Sequence, residues 1–142
     1  MDEPAQVFLY GSVKLFAYVG WCLVGLRLSA PEAQAGGRGL WWRALWLGSL
    51  RWLLGLMFGV VLFFAFATEA DRVWTQYVLV YVPVRFVEWG LIGLFLLSPR
   101  LRLSSPRFYA WIALGILVSF ASDLTSPEMI ERGRFCVGRC LC

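Results

Sequence analysis

The sequence predicts an all-α polytopic membrane protein, a four-transmembrane-helix bundle, from three observations. Its 142 residues are 60% hydrophobic and only 15% charged, whereas soluble domains are nearer half apolar and a quarter charged. The mean hydropathy is +0.69, and four apolar runs each approach the roughly 20 residues that cross a bilayer as a helix. Because lipid offers backbone amides no hydrogen-bond partner, these runs are expected to be helical.

The chain divides into a transmembrane domain, 1–124, and a cysteine-containing tail, 125–142. The fourth span is the shortest and is expected either to continue a turn beyond the membrane or to tilt little in the bilayer. In chain order, the predicted spans cover about 7–26, 44–67, 74–97 and 108–124.

Arginines in the connections predict the orientation. Loops 27–43 and 98–107 hold three arginines each, loop 68–73 holds one, and the segment before the first span holds none. The positive-inside rule then places both termini on the non-cytoplasmic side, although three further arginines in the tail oppose this arrangement. Most of the arginines behind the net charge of +4 lie in the connections between apolar runs, where they act as topology determinants. No nucleic-acid partner is therefore expected.

Ionisable side chains inside the predicted spans form the main candidate site. Three spans carry a polar stripe at helical spacing, and the orientation brings these stripes to the non-cytoplasmic half of the bundle. Pro83 removes a backbone donor beside them, which predicts a kink and an unbonded carbonyl. The predicted intramembrane polar cluster contains Lys14, Tyr81, Arg85, Glu88 and Asp123. Its expected lining is Tyr10, Tyr18, Tyr77 and Tyr81, and Ser119 and Ser122 share a helix face with Asp123.

Charge in mid-membrane costs at least about 2.5–3.5 kcal/mol per group and usually marks function. Three interpretations of the cluster remain open. In the first, Arg85 and Glu88 at i,i+3 neutralise each other while Lys14 and Arg51 extend their charged ends outward. In the second the charges dock a neighbouring subunit, and in the third they form part of a transport path.

An aromatic and basic segment leads into the second span and continues in its first turns. Trp41, Trp42, Arg43 and Arg51 are predicted to lie at the cytoplasmic interface and to contact lipid headgroups. A stripe of small residues follows, Gly48, Gly55 and Gly59. Such a stripe suits packing within the chain as well as dimerisation.

Three cysteines in the tail, Cys136, Cys140 and Cys142, have a spacing that is not typical of a zinc site. Outside the cell they would favour one disulfide, and on the cytoplasmic side they would suit S-acylation. A thiol-redox role is a third interpretation, but the usual C-x-x-C is missing.

These patterns predict a non-catalytic integral subunit of a larger membrane complex, respiratory, photosynthetic or transport-related. Its expected partners are other membrane subunits and membrane lipids, and a lipid, quinone or carotenoid would suit its aromatic surface. The chain has no histidine, so histidine supplies no haem ligand, metal ligand or general base. The second hypothesis is a small oligomeric transporter or channel that uses the Arg85/Glu88 pair. The third is an enzyme of membrane redox or lipid chemistry that uses the tail thiols.

Overall fold

The computed structural model describes residues 3–29, 37–66, 74–96 and 106–126, and every regular element in this part of the chain is a helix. The prediction of an all-α protein is therefore confirmed. The four helices are α1 Glu3–Ser29, α2 Gly37–Phe66, α3 Trp74–Leu96 and α4 Pro106–Asp123.

Helix α2 is longer than its predicted span because it begins at Gly37 rather than near residue 44. The segment that follows Gly37 is rich in leucine, tryptophan, arginine and alanine and contains no proline, so nothing in it stops a helix. Trp41 and Trp42 consequently lie within the first turns of α2 and not in a loop.

Among the described helices, three are long and apolar enough to cross a membrane, with candidate spans at Pro4–Leu28, Gly39–Val61 and Val78–Phe95. This finding indicates a membrane protein. The fourth predicted span is confirmed as a helix but is not among these candidates. Helix α4 has 18 residues, about 27 Å at about 1.5 Å per residue, and Arg107 and Asp123 lie near its two ends.

The helices pack in the cyclic order α1, α2, α3, α4, and the contact between α1 and α2 is the most extensive. Neighbouring helices run antiparallel. On α3 and α4, for example, Gly93 lies against Phe108 near one end of the pair, while Arg85 contacts Asp123 near the other. Each helix can therefore present its inner face to two others.

Trp89 lies at the centre of the apolar core and is fully buried. Its ring meets those of Tyr18 and Trp111 edge to face, with centroids 5.6 Å and 5.3 Å away. Its indole Nε1 donates a hydrogen bond to Ser119 Oγ over 3.0 Å. Aromatic side chains thus fill the bundle interior as well as its surface, which the interfacial preference of tryptophan does not predict.

Gly48 sets the close approach of α1 and α2. A Cβ at this position would lie 2.5–2.7 Å from atoms of Val19, two of which belong to the backbone. Contacts this short are absent from well-packed proteins, so only glycine allows the two backbones to approach so closely. The predicted small-residue stripe therefore packs against α1 at Gly48, while Gly55 and Gly59 line a cleft described below.

Candidate functional site

Asp123, at the end of α4, joins three helices through its buried carboxylate. Lys14 Nζ on α1 lies 2.7 Å from Asp123 Oδ1, and the Tyr10 hydroxyl donates to the same oxygen over 2.9 Å. Arg85 Nη2 on α3 donates to Asp123 Oδ2, and Lys14 also donates to the Tyr10 oxygen. The predicted convergence of Lys14, Arg85 and Asp123 is thus what the structure shows.

A second buried ion pair joins α2 to α3. Arg51 Nη2 lies 2.6 Å from Glu88 Oε2, and the two side chains are 1% and 4% exposed. The Arg51 guanidinium carbon also lies 4.7 Å and 5.0 Å from the ring centres of Tyr18 and Trp89. Cation–π attraction of this kind strengthens when the charge is shielded from water.

Arg51 corrects the sequence-based prediction. It was expected at the headgroup interface, but it lies in the bundle interior as the partner of Glu88. The i,i+3 pairing expected for Arg85 and Glu88 is also not the main arrangement, because each of these residues has a partner on another helix. We use the name charge network for the five residues Lys14, Arg51, Arg85, Glu88 and Asp123.

An aromatic and hydroxyl shell surrounds the charge network. The Arg85 guanidinium carbon lies 5.4 Å from the ring centre of Tyr81 and 4.0 Å from that of Phe120. On α4, Ser119 accepts the hydrogen bond from Trp89 and donates one to the Gly115 carbonyl over 3.0 Å. The side chain of Tyr77 lies outside the described residues, and the kink predicted at Pro83, inside α3, stays a prediction.

A partly open cleft of about 50 Å³ lies beside the charge network, between α1, α2 and α3. Its walls include four of the network's five residues, together with three glycines. The four charged residues are Lys14, Arg51, Arg85 and Glu88, and the glycines are Gly11, Gly55 and Gly59. The cleft is therefore lined by three cations and one carboxylate.

The other residues predicted at the headgroup interface, Trp41, Trp42 and Arg43, are exposed on α2. The two tryptophans border an apolar groove of about 310 Å³ on the outside of α1 and α2. The groove is also lined by Leu15, Phe16, Val19 and Leu45. The expected lipid, quinone or carotenoid stays a prediction.

The tail cysteines, Cys136, Cys140 and Cys142, lie outside the described residues, so disulfide formation, acylation and a redox role stay predictions. Cys22 is buried in α1 as a free thiol. Within the described ranges, no group of three or more histidine, cysteine, aspartate or glutamate side chains is arranged to hold a metal ion.

No protein-family model, curated protein or solved structure matches this chain. The charge network, the cleft beside it and the apolar outer surface are thus the features that bear on function.

Proposed function

We propose that this chain is a non-catalytic integral membrane protein with four membrane-spanning helices and that it serves as a subunit of a larger membrane complex. The observation that carries this proposal is the contrast between its interior and its surface. Inside, the carboxylates of the charge network are paired with cations of the same chain. Outside, large apolar side chains are exposed along the helices, among them Phe16, Trp46, Leu53, Met57 and Phe95.

The interior pairs support a structural role for the charges. Each ion pair joins two different helices, so the network holds the bundle in one arrangement. Buried polar contacts can specify a unique packing in this way. The exposed apolar surface then remains available to lipid and to the transmembrane helices of partner subunits.

Helix α4 supports the four-span topology despite its length. It packs against α1 and α3 and places Asp123 next to Lys14 and Arg85, so it shares the interior of the three candidate spans. With four spans, the arginine-rich connections favour both termini on the non-cytoplasmic side. A C-terminal alkaline phosphatase fusion, which is active only outside the cytoplasm, tests that orientation, and we expect it to be active. An inactive phosphatase fusion together with a fluorescent C-terminal fluorescent-protein fusion would contradict it.

Native electrophoresis of membranes solubilised in a mild detergent tests the subunit role. We expect the tagged chain to migrate with much larger partners and to be released from them by a harsher detergent. Mass spectrometry of the large band would identify the partners and show whether the complex is respiratory, photosynthetic or transport-related. Migration only as a monomer or dimer in every mild detergent contradicts the proposal.

The cleft favours a second candidate, a small oligomeric transporter or channel. Glu88 and Arg85 both line a space large enough for water, and ionisable groups at such positions often mark transport paths. Glu88→Gln should then abolish flux in liposomes while tryptophan fluorescence shows that the protein remains folded. Unchanged flux in this variant, or no flux with the parent protein, would remove this candidate.

A further inference from the structure

Arg51 offers hydrogen-bond donors that the chain's own pairs do not use. Its Nη2 binds Glu88, but Nε and Nη1 are buried and have no hydrogen-bond partner among the described residues. The rings of Tyr18 and Trp89 attract the positive charge, yet they provide no lone pair for these N–H groups. Donors left unsatisfied in an interior are costly, so a site that retains them usually has an acceptor to receive them.

The charge network contains more positive than negative groups. Lys14, Arg51 and Arg85 are the cations, and Glu88 and Asp123 are the carboxylates, which leaves one positive charge in excess when all five are ionised. Their side chains are at most 13% exposed. An excess charge shielded from water is unfavourable in a membrane-spanning bundle, and a bound anion would compensate it.

The cleft brings open space next to the unpaired Arg51 donors and the excess positive charge. A Cβ on Gly55 would lie 3.2 Å from Arg51 Nη1 and 3.9 Å from Glu88 Oε1, so the missing side chain of this glycine leaves the ion pair at the wall of the cleft. The cavity of about 50 Å³ holds roughly three to five water-sized groups at about 10–15 Å³ each. A phosphate group, with its four oxygens, has this size.

We propose that the cleft between α1, α2 and α3 binds a phosphate group, with Arg51 as the principal donor and Lys14 and Arg85 supplying positive potential. Guanidinium groups are well suited to phosphate oxygens. The phosphate belongs either to a free phosphate compound or to the headgroup of an anionic lipid, since the recognition chemistry is the same. This inference concerns binding by the isolated chain, so it depends neither on partner subunits nor on transport.

Two binding measurements on the purified full chain in detergent separate these sources. The first is calorimetric titration with sodium phosphate at constant ionic strength, with sodium chloride as the control anion. The second is native mass spectrometry after incubation with equal amounts of phosphatidylglycerol and phosphatidylcholine. Saturable binding of phosphate identifies a free phosphate ligand, and preferential retention of phosphatidylglycerol without phosphate binding identifies a lipid headgroup.

Variants locate the site. Gly55→Leu fills the cleft without removing charge, and we expect it to abolish the binding seen with the parent. Its matched control is Gly20→Leu, because nothing lies within 4 Å of a Cβ at Gly20, and this variant should bind like the parent. The neutral pair Arg51→Gln/Glu88→Gln should weaken binding by about tenfold or more, since hydrogen bonds to charged groups are the strong ones.

The outcomes are distinct. If Gly55→Leu does not fold, as judged by tryptophan fluorescence and gel filtration, Gly55→Ala replaces it, and its methyl group beside Arg51 should still weaken binding. The proposal is overturned if the parent protein shows neither saturable phosphate binding nor a preference for phosphatidylglycerol. It is also overturned if binding persists unchanged in the Gly55 variant and in the neutral double variant.

Discussion

Removal of Arg51 should destabilise the protein mainly because it leaves Glu88 as a buried charge without its partner. The two side chains are 1% and 4% exposed and their closest atoms are 2.6 Å apart. Unit charges about 4 Å apart attract by about 4 kcal/mol at an effective dielectric constant near 20. Loss of one partner of a buried pair typically costs about 3–5 kcal/mol.

The aromatic contacts of Arg51 increase this cost. Its guanidinium carbon is 4.7 Å and 5.0 Å from the ring centres of Tyr18 and Trp89, and each such contact contributes about 0.5–1 kcal/mol. We therefore expect Arg51→Met to lower the free energy of unfolding by about 4–7 kcal/mol. The double variant Arg51→Met/Glu88→Leu removes both charges and should return to within about 1 kcal/mol of the parent protein.

Unfolding in mixed micelles of a mild detergent with increasing SDS, followed by tryptophan fluorescence, measures these differences. Arg43→Met is the matched control, because Arg43 is an exposed arginine on the same helix, and it should change stability by less than about 0.5 kcal/mol. The reasoning is refuted if Arg51→Met costs less than about 1 kcal/mol. It is refuted equally if the double variant shows the simple sum of the two single effects.

Three further variants probe other contacts, measured by the same unfolding assay. Gly48→Ala should lower the free energy of unfolding by about 1–3 kcal/mol, because its Cβ would lie 2.5–2.7 Å from atoms of Val19. Its control is Gly20→Ala, whose Cβ would have nothing within 4 Å and which should be neutral or slightly stabilising. Asp123→Asn should cost about 3–5 kcal/mol, since it removes the carboxylate shared by two cations. Trp89→Phe should cost about 1–3 kcal/mol, because a buried serine hydroxyl loses its indole donor.

Each of these expectations has a contradicting result. Equal stability of Gly48→Ala and Gly20→Ala would mean that the α1–α2 contact is looser than the geometry indicates. An Asp123→Asn protein as stable as the parent would show that the carboxylate is not the charge that holds its two cations. A Trp89→Phe protein at full stability would show that the indole hydrogen bond contributes nothing measurable.

Helical periodicity was enough to predict part of the site. The spacing of Tyr10 and Lys14 places them on one face of α1, and the depth of Arg85 and Asp123 follows from counting residues along the spans. These groups meet in the structure. This part was within reach of the sequence because one helix face is a local property and because charges in apolar helices need partners.

Arg51 shows where this reasoning failed. With a loop assumed up to residue 43, Arg51 appeared to lie close to the interface. Because α2 begins at Gly37, Arg51 lies about 14 residues into the helix, or about 21 Å along it. Its pairing with Glu88 also depends on how α2 and α3 are rotated against each other, and that rotation follows from side-chain packing rather than from local sequence.

The sharing of Asp123 has a consequence for the order in which the helices find their partners during synthesis. When α3 emerges, the partner of Glu88 has already been made, since Arg51 belongs to α2. The carboxylate that Arg85 and Lys14 share is not yet present, because Asp123 is the last residue of α4. A chain interrupted before α4 would therefore carry two cations without that carboxylate in its apolar segments. Completion of the final helix is thus the step that supplies the second carboxylate of the charge network and lowers the excess positive charge among its five residues from two to one.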